Sequence, residues 1–147
     1  MKLLLFCIIL FVVAAHAEPK LQVLKGTNGT ARDASGRIAI TASSSGSSTT
    51  YRESNGRIAT TATESKSGHT TYRDSSGRIT GTASQSNNST TFRDASGRIS
   101  GSASQSGTTT TYRDATGKIV ATAARSGTNV TIRDSSGRIT DTAIVGK

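Results

Sequence analysis

Six pairs of cations recur along this chain with one spacing: Arg32 and Arg37, Arg52 and Arg57, Arg73 and Arg78, Arg93 and Arg98, Arg113 and Lys118, Arg133 and Arg138. A guanidinium presents a planar fork of donors that matches phosphate, sulfate or carboxylate. A regular file of such pairs is chemistry suited to a repeating polyanion. An acid follows the first cation of every pair: Asp33, Glu53, Asp74, Asp94, Asp114 and Asp134. Each unit therefore keeps a charge of about +1, and the six together supply about +6 of the net +9. The competing reading is a solvated basic face that provides solubility and blocks sheet edges from pairing.

Other chemistries find little support. The histidines are His16 and His69, and the one cysteine is Cys7. A histidine triad or a zinc cluster needs several such groups close together. No catalytic, cofactor-binding or metal-binding residue is assigned, and His69 reads as a surface residue. The serines have no patterned histidine beside them. Asp141 stands where the other copies carry Gly, Ala, Thr or Ile, and reads as an exposed position near the chain end. The aromatic residues are few and inward-facing, so no base-stacking platform is expected and sequence-specific nucleic-acid binding is not.

The elements that must position the cations are internal repeats. ARDASGRIAITA (31–42), YRESNGRIATTA (51–62), YRDSSGRITGTA (72–83), FRDASGRISGSA (92–103), YRDATGKIVATA (112–123) and IRDSSGRITDTA (132–143) share one pattern. Asp-x-x-Gly suits a type I turn with glycine in the left-handed position. Thr, Tyr and Ile on either side favour strands. Ser, Gly and Asn tracts such as Ser43–Ser48 and Ser84–Ser89 make the return turns. Six tandem β-hairpins of about 20 residues follow, near 27–46, 47–67, 68–87, 88–107, 108–127 and 128–147.

A four-residue loop over Asp114–Gly117 would pair Arg113 with Lys118, Tyr112 with Ile119, Thr110 with Ala121 and Thr108 with Ala123. Strand alternation then places Tyr112, Ile119, Ala121 and Ala123 on one face, the candidate core. The opposite face carries Arg113, Lys118, Val120, Thr111 and Thr122. By the same register Ile38, Ile58, Ile79, Ile99 and Ile139 point inward, together with Tyr51, Tyr72 and Phe92. One file of outer threonines runs through Thr41, Thr61, Thr82, Thr122 and Thr142. Such ladders resemble ice-binding faces, but the charged arginines on the same face oppose that use.

A lone hairpin is not stable in water. The hairpins must pack together, either radially around an axis or linearly as a solenoid. Aromatics near the turn and small residues farther away (Gly81, Gly101, Ala83, Ala103) favour the radial form. Residues 21–27 read as a strand opening the first hairpin, and Ile144–Val145 as residues closing the array. At the other extreme, Lys2, the apolar run Leu3–Ala15 and Ala15-His16-Ala17 form the pattern of a secretory signal peptide. The run is shorter than the roughly 20 residues of a membrane span. Residues 1–17 are thus expected to be removed, leaving 18–147 as one repeat domain with no membrane span, in the periplasm or outside the cell.

The pattern aromatic-Arg-Asp-x-x-Gly-Arg-Ile resembles the small secreted bacterial 5-fold β-flower proteins, and less closely the YD repeats of RHS-type proteins. The first resemblance implies short hairpins around a pseudo-symmetry axis, here six rather than five. It implies no activity. The sequence therefore points to an exported, all-β, non-enzymatic structural or binding module without a cofactor. Its basic hairpin tips would contact an anionic surface polymer such as lipopolysaccharide or acidic polysaccharide. The alternative is a self-assembling fibre or matrix subunit.

Overall fold

The computed structural model describes residues 23–146. The expected signal peptide and its cleavage site lie outside them. Twelve strands follow in order: β1 (Gly29–Asp33), β2 (Ile38–Ser45), β3 (Ser48–Glu53), β4 (Ile58–Glu64), β5 (His69–Asp74), β6 (Ile79–Ser86), β7 (Ser89–Asp94), β8 (Ile99–Ser106), β9 (Thr109–Asp114), β10 (Ile119–Ser126), β11 (Asn129–Asp134) and β12 (Ile139–Val145). Each pairs antiparallel with its neighbours in sequence, and β12 pairs with β1 to close a barrel. The fold of the described residues is all-β, as expected. The hairpins, however, are neither separate petals nor a linear stack. Each hydrogen-bonds to the next as fully as its own two strands bond to each other, because the Ser/Gly connections are themselves tight hairpin turns. At the seam Gly29 faces Val145 and Thr30 faces Ile144, so the closing role expected of those last apolar residues is met.

The tip turn differs by one residue from the expected loop. In the fifth copy Gly117 N donates to Asp114 O at 3.0 Å, and Asp114 N donates to Lys118 O at 3.0 Å. Asp114 therefore pairs with Lys118 across a three-residue loop, a type I turn followed by a left-handed glycine. Gly117 has φ +86°, and its counterparts lie between +82° and +87°. Arg113 then faces Ile119, Val120 is bulged out, and Tyr112 faces Ala121. The same shift recurs in all six copies, among them Arg32 with Ile38 and Arg93 with Ile99.

This register corrects the expected core. The isoleucines Ile38, Ile58, Ile79, Ile99, Ile119 and Ile139 lie opposite outward-facing arginines and are 38–51 % exposed. The bulge then restores alternation, so that Tyr112, Ala121 and Ala123 do face inward. The core is built in levels. Tyr51, Tyr72, Phe92, Tyr112 and Ile132 form one, with Ala31 in the first copy, and all are buried. Ala42, Ala62, Ala83, Ala103, Ala123 and Ala143 form the next. Ala83 shows why this level is small: it faces Thr70 across one strand pair and Phe92 across the other. Burial holds the phenols of Tyr51 and Tyr112 above their ordinary range, and the neighbouring Tyr72 adds to the effect in both.

A barrel of eight strands is about as wide as its own side chains can fill. Twelve strands leave a wider mouth, and residues 23–27 enter it. They begin in a helical turn and are not the strand expected over 21–27, of which Leu21 and Gln22 lie outside the described residues. Leu24 is fully buried. Gly26 N donates to Thr49 Oγ1 at 2.9 Å, and Lys25 pairs with Glu64 at 3.2 Å.

The tip glycines permit a direct test. A Cβ on Gly97 would meet no atom within 4 Å, so the cost of a substitution there is conformational. Gly97→Ala should destabilise the fold by about 1–2 kcal/mol, the cost of a left-handed L-residue. Gly97→Asn should cost less, since Asn visits that region more readily. Urea unfolding of the two variants checks the order.

Candidate anion-binding rim

In an up-and-down barrel all turns of one kind lie at one end. The six Asp-x-x-Gly tips therefore share one rim, and the Ser/Gly/Asn turns form the other. All twelve cations singled out in the sequence stand on the tip rim, two to each of its six acids. The closed topology thus gathers the charges that the sequence only spaces.

The two cations of a pair are not equivalent, and they do not face each other as expected. The first braces its own turn. Arg32, Arg52, Arg73, Arg93, Arg113 and Arg133 each donate from Nη1 to the carbonyl of the tip glycine four residues on, at 2.9–3.0 Å. The second cations, Arg37, Arg57, Arg78, Arg98, Lys118 and Arg138, are exposed. Among the described residues their side chains have no hydrogen-bond or ion-pair partner. Sequence spacing could not separate the two roles, because the brace exists only once the glycine carbonyl turns back over the strand.

The acids are occupied as well. Asp94 Oδ1 accepts from Ser96 Oγ at 2.7 Å, from Ser96 N at 2.9 Å and from Arg98 N at 3.0 Å. Asp33, Asp74, Asp114 and Asp134 are held alike by Ser35, Ser76, Thr116 and Ser136. In the second copy Asn55 substitutes, its Oδ1 accepting from Arg57 N while its Nδ2 donates to Glu53. The acids therefore serve the turns and form no direct pair with the arginines. The rim keeps its full excess of six positive charges. The side chains of six of its cations make no hydrogen bond or ion pair among the described residues, and Arg37, Arg78, Arg98, Lys118 and Arg138 act on their turn aspartates only through longer-range charge.

These hydrogen bonds set a pH dependence. The hydroxyl of the residue two positions on lowers the carboxyl of Asp33, Asp74, Asp94, Asp114 and Asp134 below the ordinary 3.8, and the backbone N–H groups add to it. A folded-state value below the unfolded one stabilises the fold above the unfolded value and is lost as pH falls through the folded one. The melting temperature should hold from neutral pH down towards about 4 and then drop in acid. Ser96→Ala should shrink that acid-dependent part, as thermal melts across pH would read.

Outside the rim, His69 is exposed at the start of β5, and its Nδ1 lies 2.9 Å from Ser84 Oγ. The sequence did not reveal this neighbour, because the two meet only through the β5–β6 register. Among the described residues no carboxylate orients the imidazole, and no group of three His, Cys, Asp or Glu side chains is placed to hold a metal. Asp141 is half-buried at an inward register position opposite Ile132, and is not the exposed chain-end residue expected. The outer threonines pair directly across strands, as in Thr71 with Thr82 and Thr111 with Thr122, on a curved wall.

No family model matches the chain, and no curated protein matches it. In fold it is similar to a crystal structure of a protein from Arabidopsis thaliana, with a TM-score of 0.57 and 13 % identity over 84 % of this chain and 77 % of that one. That likeness concerns the path of the backbone alone.

Proposed function

We propose that this protein is an exported, non-catalytic binding module whose basic rim holds an anionic polymer at the cell surface. The observation that carries the reading is the division of labour at the tips. One cation of each pair is used by the turn, while the other, with its charge uncompensated by a direct partner, points to solvent. A hydrogen-bonded role in the turn accounts for the first set, whereas the second set acts on the turn aspartates only through longer-range charge, the smallest of the causes that hold those carboxyls low. Six equivalent free cations around one circle suit a ligand that repeats its own charge.

The half-exposed isoleucines opposite the bracing arginines refine the choice of ligand. They give the outer wall an apolar step beside each basic tip. An amphiphilic anion such as lipopolysaccharide uses both features, and a purely polar acidic polysaccharide uses only the charge. The fibre reading draws less support. Fibres of strand-rich subunits grow on exposed sheet edges, and a closed barrel has none to offer.

Titration of the protein with lipopolysaccharide, alginate and neutral dextran at several salt concentrations tests the reading. The expected result is saturable binding to the two anionic polymers that weakens steeply with salt, tighter for lipopolysaccharide, and none to dextran. Equal affinity for dextran and alginate, or binding insensitive to salt, would contradict it.

A further inference from the structure

The interior of the barrel repeats closely at some levels and diverges at others. Six alanines make one level, and aromatics with Ile132 and Ala31 make another. The inward positions nearest the Ser/Gly-turn mouth are Ser44, Glu64, Gln85, Gln105, Arg125 and Val145. A chain built from copies of one unit keeps alike the positions that every copy needs. Two inward levels diverge, this one and that of Ile40, Thr60, Gly81, Gly101, Ala121 and Asp141 nearer the tips, and this one includes Gln105 and Arg125, which line an open cavity.

The mouth is also lopsided. Residues 23–27 lie against the β3–β5 side, where Lys25 Nζ reaches Glu64 Oε1 at 3.2 Å and Thr70 Oγ1 at 3.4 Å. The space left there is only about 30 Å³. On the β8–β11 side a cavity of about 360 Å³ stays open, with Val23, Gln105, Thr110, Tyr112, Arg125 and Val130 in its wall. That volume is within the range of about 300–1,000 Å³ typical of small-molecule sites. Its floor is the buried Tyr112, Ala123 and Val130. Among the described residues no carboxylate lines it, and the Lys25 charge is answered by Glu64 in the neighbouring space. Arg125 uses Nε on Gly127 O at 2.9 Å, its one side-chain hydrogen bond among the described residues. Its Nη groups remain for a ligand.

We propose that this cavity is a second site, at the end of the barrel opposite the basic rim, for a small carboxylate with an apolar body. The head pairs with the Arg125 guanidinium, whose fork fits a carboxylate. The body lies on Tyr112, Ala123 and Val130, and Gln105 and Thr110 offer hydrogen bonds at the side.

Octanoate, octan-1-ol and octylammonium share a body and differ in head charge, so they separate the terms. Each is titrated into the purified protein and followed by amide chemical shifts. Octanoate should bind saturably, moving the amides of Thr110, Arg125 and Val130, with affinity at least about tenfold above octanol. Arg125→Gln should bring octanoate down to the octanol level. Arg125 is exposed, so the variant keeps its fold, which the unchanged remainder of the spectrum verifies. Arg78→Ser with Arg98→Ser, on the far rim, should leave octanoate binding as it was. Equal binding of the three probes, an Arg125→Gln variant that binds octanoate like the parent, or no saturable octanoate binding would each overturn the proposal.

Discussion

Tyr72→Ala should lower the stability of the barrel by about 3–5 kcal/mol, the usual cost of truncating a buried aromatic. Tyr72 is fully buried and faces Ala62 on one side and Gly81 on the other. These two are among the smallest side chains available, so neither can move into the space that a missing ring leaves. Domains of this kind hold only about 5–15 kcal/mol in total. The variant should therefore retain a small part of its stability and unfold at far lower urea. Tyr72→Phe keeps the ring and removes only the buried hydroxyl, and no buried side-chain oxygen among the described residues lacks a hydrogen-bond partner, so its loss should be near about 1 kcal/mol. A Tyr72→Ala loss no larger than that of Tyr72→Phe would mean that the aromatic level does not hold the barrel together. A polar wall makes this the weak point: outward positions are mainly Thr, Ser and Arg, and the buried area comes from few large side chains.

The second large effect concerns binding and separates the two cations of each tip. Replacing Arg57, Arg78, Arg98 and Arg138 by Ser removes cations whose side chains make no hydrogen bond or ion pair among the described residues. Stability should change little, and affinity for an anionic polymer should fall at least about tenfold at moderate salt. Replacing Arg52, Arg73, Arg93 and Arg133 by Ser removes the same charge and also strips the carbonyls of Gly56, Gly77, Gly97 and Gly137 of their donors. That variant should lose both binding and melting temperature. Two proteins of equal net charge and different stability are thus the signature of the brace.

The hairpins, their strands and their turn glycines were legible because each rests on local chemistry. Asp-x-x-Gly encodes its turn, and Tyr112, Ala121 and Ala123 alternate as an inward face should. The isoleucines were misread for a physical reason. A loop one residue shorter moves Ile119 to the outer face, and the bulge at Val120 restores the inner alternation, so the two irregularities hide each other in the pattern. Closure was legible only at the end, in Ile144 and Val145. A continuous sheet was not legible, since nothing in one repeat tells whether the next lies beside it or behind it. For the site, the sequence supplied the cations and their spacing. It could not show that one of each pair serves the turn, nor that Arg125, outside every pair, lines a cavity with Gln105 and Val130.

The central claim is that the free cations of the rim are the binding site, and the salt dependence of affinity tests it most directly. The dissociation constant for a short DNA duplex, used purely as a polyanion, is measured over a range of salt for the parent and for the variant lacking Arg57, Arg78, Arg98 and Arg138. Each phosphate contact contributes about 0.9 to the slope of log affinity against log salt. The account expects a shallower slope in the variant, by about 1 for every removed cation that the duplex reaches. Identical slopes in the two proteins would place the contact elsewhere and leave the rim as a solvated surface.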